Sequence, residues 1–329
     1  MSEHSQELSG RLGFGCAPML GRVGRKESLR ALAIAYDNGI RHFDVARSYG
    51  FGEAEALLGE FLAGKRQHVT VTSKFGVVPP RNTRALSFAK SLARGWIKRM
   101  PGGRRMVHAA SRVALSQRNY EVGYARSCLE QSLRQLRSER IDYYLIHEPP
   151  SPEVLTDELQ RFLDGAQRDG KIGQWGVTID APEIMASPLA QQAPAWLFEA
   201  NLNVLDRLHP GIGAGRQRFL SRPYGGGPDS LAAGAASRPV REAVDKLGLD
   251  GLSEQELAMH FALSLAGEHG IVITSMFSEQ HIRQNLALLE RYRALGELGR
   301  ALAPTILGEG SARPCRNGPC NDMPERQPA

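Results

Sequence analysis

The chain of 329 residues has little cysteine, no long apolar run and one long stretch without acid. Cys16, Cys128, Cys315 and Cys320 are too few and too scattered for a disulfide framework. No segment reaches the roughly 18 consecutive apolar residues of a membrane-spanning helix. The opening MSEHSQELSGRLGFG lacks the apolar core of a secretory signal. These absences lead to the expectation of a reduced, cytoplasmic protein. Cys315 and Cys320 have no neighbouring ligands, so free thiols rather than a metal site are expected there.

Acid is missing from Pro79 to Tyr120, where ten Lys or Arg stand: Arg81, Arg84, Lys90, Arg94, Lys98, Arg99, Arg104, Arg105, Arg112 and Arg118. The formal net charge is +6, from 41 basic and 35 acidic residues, so without those ten the balance is 31 against 35, or −4. The basicity therefore belongs to one insertion and not to the body. Within it, LSFAKSLARGWIKRM carries Leu86, Ala89, Leu92, Ala93, Trp96 and Ile97 at the spacing of one helix face. That pattern leads to the expectation of an amphipathic basic helix that covers the barrel, ahead of one that grips an acidic substrate or lies on an anionic surface. No nucleic-acid-binding fold or aromatic interleaving accompanies it, so no nucleic-acid partner is expected.

What is present is alternation. Strand-like runs at 11–16, 40–46, 68–76, 141–148, 173–179, 195–204, 216–222 and 271–277 are separated by segments of helical period. SEQELAMHFALSLAGEHG carries a capping box, Ser253 with Glu256 three residues on. HIRQNLALLERYRALGEL reads as the closing helix, and the polar, Pro- and Gly-rich residues from about Thr305 read as a tail. Eight apolar strands alternating with helices point to an α/β protein with a parallel sheet. The GxGxxG turn usual in an open doubly wound sheet is missing after the first strand, where the sequence is GFGCAPMLG. A closed (β/α)8 TIM barrel over 11–304, with a basic helical insertion at 79–120, fits better.

In such barrels chemistry collects at the C-terminal strand ends. Asp44 follows the second strand, Tyr49 lies in the loop after it, Lys74 ends the third strand and His147 the fourth. Each residue alone has an ordinary structural reading. Four ionisable groups at three neighbouring strand ends together lead to the expectation of a site. A phenol with an ordinary pKa near ~10 needs a cation beside it to exchange a proton near neutrality. Lys74 supplies that cation, Asp44 its counter-charge, and a histidine can polarise a carbonyl.

GIRHFDVARSYGFGEAEALLG, with Lys74 in VTSKFG and His147 in DYYLIHEPP, resembles the aldo-keto reductase family over about 12–289. The resemblance implies a TIM barrel and an extended nicotinamide cofactor that interconverts carbonyl and alcohol. It makes Tyr49 the general acid, with Lys74 and Asp44 tuning it and His147 orienting the carbonyl. It places Thr178 with Ile179 where the family commonly has Ser-Asn, and Glu199 in place of Gln, on the nicotinamide carboxamide. Ser221, Arg222 and Tyr224 lie where an aromatic ring usually stacks on the nicotinamide. Ser275, Ser278, His281, Gln284 and Asn285 take the adenosine side. Ser275 and His281 stand where many NADPH users carry Lys or Arg, so NADP(H) is favoured by family habit and NAD(H) stays open. The implied partner is a small carbonyl or sugar. The alternatives are an NAD-dependent sugar or alcohol dehydrogenase on the same site, and a cofactor-binding barrel with a regulatory role.

Overall fold

Short runs of apolar and β-branched residues form β1 (Leu12–Gly15), β2 (His42–Asp44), β3 (Thr70–Phe75) and β4 (Ile141–Ile146). β5 (Ile172–Ile179), β6 (Ala195–Glu199), β7 (Gln217–Ser221) and β8 (Ile271–Thr274) follow. The computed structural model describes residues 10–79, 117–225 and 227–308. All eight strands are parallel, each paired with the next, and β8 closes on β1. The fold is the (β/α)8 barrel. The helix expected over 86–100 and the Cys315 and Cys320 segment lie outside the described residues.

Described helices are α1 (Arg25–Asp37), α2 (Ala54–Phe61), α3 (Val122–Leu136), α4 (Asp157–Arg168), α5 (Pro182–Ala186) and α6 (Pro188–Gln192). Then come α7 (Pro228–Ala235), α8 (Arg238–Leu247), α9 (Glu254–Ala266), α10 (Glu279–Ala294) and α11 (Glu297–Leu307). α9 opens with the capping box of Ser253 and Glu256. Its buried residues run right round the helix, as suits a helix packed between the barrel and an outer layer. No helix among the described residues is long and apolar enough to cross a membrane.

All the strands but β5, which starts one residue earlier than expected, are shorter than the runs that announce them. β6 ends at Glu199, since Ala200 to Val204 turn out of the sheet, although their apolar content continues to Val204. The closing helix is likewise two helices. Gly296 takes φ 55°, a conformation glycine adopts freely, and the chain changes direction before α11 continues past Thr305.

Alternation along each strand separates two environments. On β3, Thr72 and Lys74 face the barrel interior, while Ser73 reaches out to Glu55 on α2. Inside, Leu145, Ala195, Leu197, Phe219 and Ile273 form a small apolar plug, and His42 stacks on Phe219 at 4.9 Å. The barrel is filled below and has its polar groups at the mouth, where the C-terminal strand ends open.

Candidate active site

Asp44 is the last residue of β2 and pairs with Thr72 on β3, where Lys74 is the next residue on the same face, so their side chains meet inside the mouth. Lys74 Nζ donates to Asp44 Oδ1 at 2.7 Å, to Oδ2 at 2.6 Å and to the Val45 carbonyl at 3.0 Å. Both residues are buried, Lys74 to 1% exposure. Burial alone would lower the ammonium pKa, but the Asp44 carboxylate and the Tyr49 phenol hold it above its ordinary value. Burial raises the Asp44 carboxyl, against the pull of Lys74.

Tyr49 opens a short 3-10 turn, Tyr49–Gly52, directly after β2. Its partly exposed ring lies with its centroid 5.1 Å from Lys74 Nζ and 5.9 Å from the His147 ring, nearly perpendicular to it. Burial pushes its phenol up to about 12, with Lys74 pulling down and Asp44 and Glu148 pushing further up. The expectation that the lysine would dominate is corrected here. Desolvation of the phenolate costs more than a lysine already neutralised by Asp44 returns. The phenol is therefore protonated around neutrality, a state suited to donating.

His147 follows β4, and its amide donates to the Phe75 carbonyl at 2.7 Å. Burial, Lys74 and Arg118 hold its imidazole well below the ordinary range, so the ring is neutral at pH 7. Nδ1 is buried with no hydrogen-bond partner, and Nε2 lies 3.8 Å from Glu148 Oε1. Tyr120 braces this corner, its hydroxyl donating to the carbonyls of His147 at 2.8 Å and Glu148 at 2.6 Å. Gly76 makes that possible: at φ 117° a Cβ there would lie 2.3 Å from the Tyr120 ring.

The structure thus brings Tyr49, Asp44, Lys74 and His147 together. The remaining positions fall into two groups. Thr178, buried on β5, accepts from the Glu148 amide at 2.6 Å and donates to Asp180 at 3.2 Å, so one acceptor site of its hydroxyl remains. Glu199 ends β6, accepting from Asn201 Nδ2 at 2.8 Å and lying 3.7 Å from Arg222. A cavity of about 160 Å³ opens beside them, lined by Ile179, Asp180, Met185, Phe198, Glu199 and Arg207 among others.

The second group lies across the mouth at the start of α10. Ser275, Ser278, His281 and Gln284 are exposed, and Ser278 caps the helix by accepting from the His281 amide. Asn285 differs: it is buried, donating to Thr274 at 3.1 Å and accepting from the Tyr224 hydroxyl at 2.9 Å. Arg283 pairs with Glu279 on the helix surface. Of Ser221, Arg222 and Tyr224, Ser221 is the last residue of β7, Tyr224 packs against the core and Arg222 turns outward with φ 54°.

Sequence reasoning passed over Tyr120, Glu148, Asp180 and Asn201, which line or brace the mouth. Contacts made in the folded chain distinguish them, distant ones for Tyr120 and Glu148 and local ones for Asp180 and Asn201. Glu148 offered one signal, being next to His147 in HEPP.

The residues present suit a dinucleotide. Two polar groups frame the open mouth, one offering a hydroxyl and a carboxylate for an amide, the other the Ser278-capped N-terminus of α10, suited to an anionic phosphate.

Comparisons with known proteins agree. The model of the "Aldo/keto reductase family" matches residues 11–211. The chain is 28% identical over 163 residues to the 6-dehydroglucose reductase of Novosphingobium aromaticivorans, covering 46% of this chain and 41% of that one. It is 40% identical over 68 residues to the pyridoxal 4-dehydrogenase of Microbacterium luteolum, covering 20% of each. The matched part is thus less than half the length of these curated relatives. In fold it is similar to an aldo-keto reductase from Klebsiella pneumoniae solved with NADPH, with TM-score 0.53 and 18% identity, covering 88% of this chain and 91% of that one. The chain belongs to the aldo/keto reductase family.

Proposed function

We propose that the protein is a nicotinamide-dependent oxidoreductase that reduces an aldehyde or ketone to an alcohol, with Tyr49 as general acid. One observation carries the reading. A protonated phenol, a Lys–Asp ion pair and a neutral imidazole meet at the ends of β2, β3 and β4 inside one mouth. When bound, the nicotinamide supplies the hydride that reaches the carbonyl carbon.

Everything else falls to the chain. The His147 imidazole, neutral at pH 7, donates one N–H to the carbonyl oxygen and sets its position between the imidazole and Tyr49. Negative charge growing on that oxygen is met by the Tyr49 proton, which moves from the phenol hydroxyl to the oxygen. The phenolate left behind is stabilised by the Lys74 ammonium near its ring. Asp44 keeps that ammonium charged and fixed, since it accepts on both oxygens.

Thr178 and Glu199 would take the carboxamide, and Ser275, Ser278, His281, Gln284 and Asn285 the adenosine end. Glu199 accepts from an amide NH₂ but cannot donate to its oxygen. NADP(H) is favoured over NAD(H), supported by the Klebsiella pneumoniae relative in fold solved with NADPH. The substrate class is a small carbonyl or sugar, in keeping with the 6-dehydroglucose and pyridoxal enzymes to which parts of the chain are similar.

The test is cofactor oxidation, followed by its near-ultraviolet absorbance, with NADPH and NADH separately against aldehydes, ketones and oxidised sugars. Turnover with NADPH supports the proposal. Cofactor binding by calorimetry without turnover on any carbonyl or alcohol would point to the regulatory barrel instead.

A further inference from the structure

Behind the mouth, between β3 and the helices α2 and α3, lies a second set of buried charges that the proposed reaction does not use. Arg47 is 7% exposed and Glu55 1% exposed. Arg47 Nη1 donates to the Gly52 carbonyl at 3.0 Å and to Gln135 Oε1 on α3 at 3.3 Å, and lies 3.6 Å from Glu55 Oε2. Glu55 Oε1 accepts from the Ser73 hydroxyl at 2.6 Å. Ser73 precedes Lys74 on β3, and the Arg47 amide donates to the Lys74 carbonyl at 3.1 Å. The set therefore grips the backbone at both ends of the segment that carries Tyr49.

That segment needs gripping. The three residues after Tyr49 all have positive φ: Gly50 at 57°, Phe51 at 59° and Gly52 at 90°. For glycine this is free, but Phe51 in the left-handed region costs on the order of a few RT and relaxes unless its surroundings hold it. The carbonyl of Gly52, at the far end of this run, is the one that Arg47 holds. Tyr49 is also tied at its backbone, its amide donating to the Ala46 carbonyl at 3.0 Å and its carbonyl accepting from the Glu53 amide within the same turn.

We propose that Arg47 is a positioning residue for Tyr49: anchored by Glu55 and Gln135, it clamps the left-handed turn so that the phenol stays between Lys74 and His147. The inference rests on Tyr49 being the proton donor for its effect on rate, but not for its effect on structure.

The experiment separates the two. The chain has eight tyrosines. In 3-fluorotyrosine-labelled protein the fluorine resonance of Tyr49 is assigned by its loss in Tyr49→Phe. Arg47→Met is expected to broaden or split that resonance while the other resonances keep their positions. It is expected to lower kcat about 10- to 100-fold, the scale of a misplacement near 1 Å, with NADPH affinity within about twofold. Adding Phe51→Asn, a residue type that tolerates the left-handed region, is expected to sharpen the resonance and recover part of the rate. Arg47→Lys, which keeps a cation against Glu55 on a shorter stem, gives the same direction if Arg47→Met does not accumulate folded.

An unchanged Tyr49 resonance and unchanged kcat in both Arg47 variants would overturn the clamp. So would a loss that Phe51→Asn leaves unrecovered, since Arg47 would then act through packing at large. If no carbonyl is reduced but the resonance broadens and sharpens as expected, the clamp stands and the reductase reading falls.

Discussion

The ion pair of Lys74 and Asp44 lends itself to a double-mutant cycle. Lys74 Nζ donates three hydrogen bonds, two of them to Asp44, and both residues are buried. Lys74→Met leaves a buried carboxylate with no cation, and Asp44→Asn leaves a buried ammonium with no anion. Removing one partner of such a pair costs roughly 3–5 kcal/mol. That is a large part of the ~5–15 kcal/mol that holds a typical domain together. Removing both charges together leaves neither stranded. The double variant should lose only hydrogen bonds, about 1–3 kcal/mol, far less than the sum of the singles. Urea unfolding followed by far-ultraviolet circular dichroism gives each free energy by linear extrapolation. Two single costs that simply add in the double variant would refute the reasoning, as would single costs below about 1 kcal/mol. All three variants should be inactive, so here stability and activity part company.

Further expectations test the surroundings. His42 sits inside the barrel with burial holding its pKa at about 3, below the ordinary 6.5. The unfolded chain gains that proton first as pH falls, so its stabilising contribution is complete above 6.5 and is lost progressively below it, toward pH 3. The slope approaches ~1.4 kcal/mol per pH unit; thermal unfolding between pH 7 and 5 should show a shallower fall in His42→Gln than in wild type. An identical slope would remove His42 as the cause. Gly76→Ala should cost at least about 2 kcal/mol in urea unfolding, because its Cβ would meet the Tyr120 ring at φ 117°. With Glu199 on the carboxamide as proposed, Glu199→Gln should bind NADPH about 2- to 10-fold tighter by calorimetry, through one net hydrogen bond to the carboxamide oxygen. Its exposed contact with Arg222 at 3.7 Å is too weak to offset that.

The barrel is readable because most of its strands lie in apolar runs and the segments between them carry a helical period. Boundaries were less so: β6 stops at Glu199 while its apolar run continues, and Gly296 splits a continuous helical pattern. Sheet pairing and backbone φ decide such points, and neither is a local property of sequence. Asp44, Tyr49, Lys74 and His147 could be gathered from strand-end positions alone. The balance of forces on Tyr49 could not, because desolvation depends on what packs around the phenol, and burial outweighs Lys74. Glu148, Asp180 and Asn201 escaped for the same reason. Glu148 owes its place to Arg118 and Thr178, brought from other elements, whereas Asp180 and Asn201 bond to Thr178 and Glu199, their close neighbours in the chain, through turns that only the folded backbone sets.

The most direct measurement of the proposed chemistry is carbonyl reduction by Tyr49→Phe, with cofactor affinity measured on the same preparation. The substitution keeps the ring against Lys74 and His147 and removes only the hydroxyl that carries the proton. If Tyr49 is the general acid, kcat falls on the order of 100-fold or more while NADPH binds as in wild type. Activity that survives the substitution would contradict the assignment and send the search for the proton donor to another residue of the mouth.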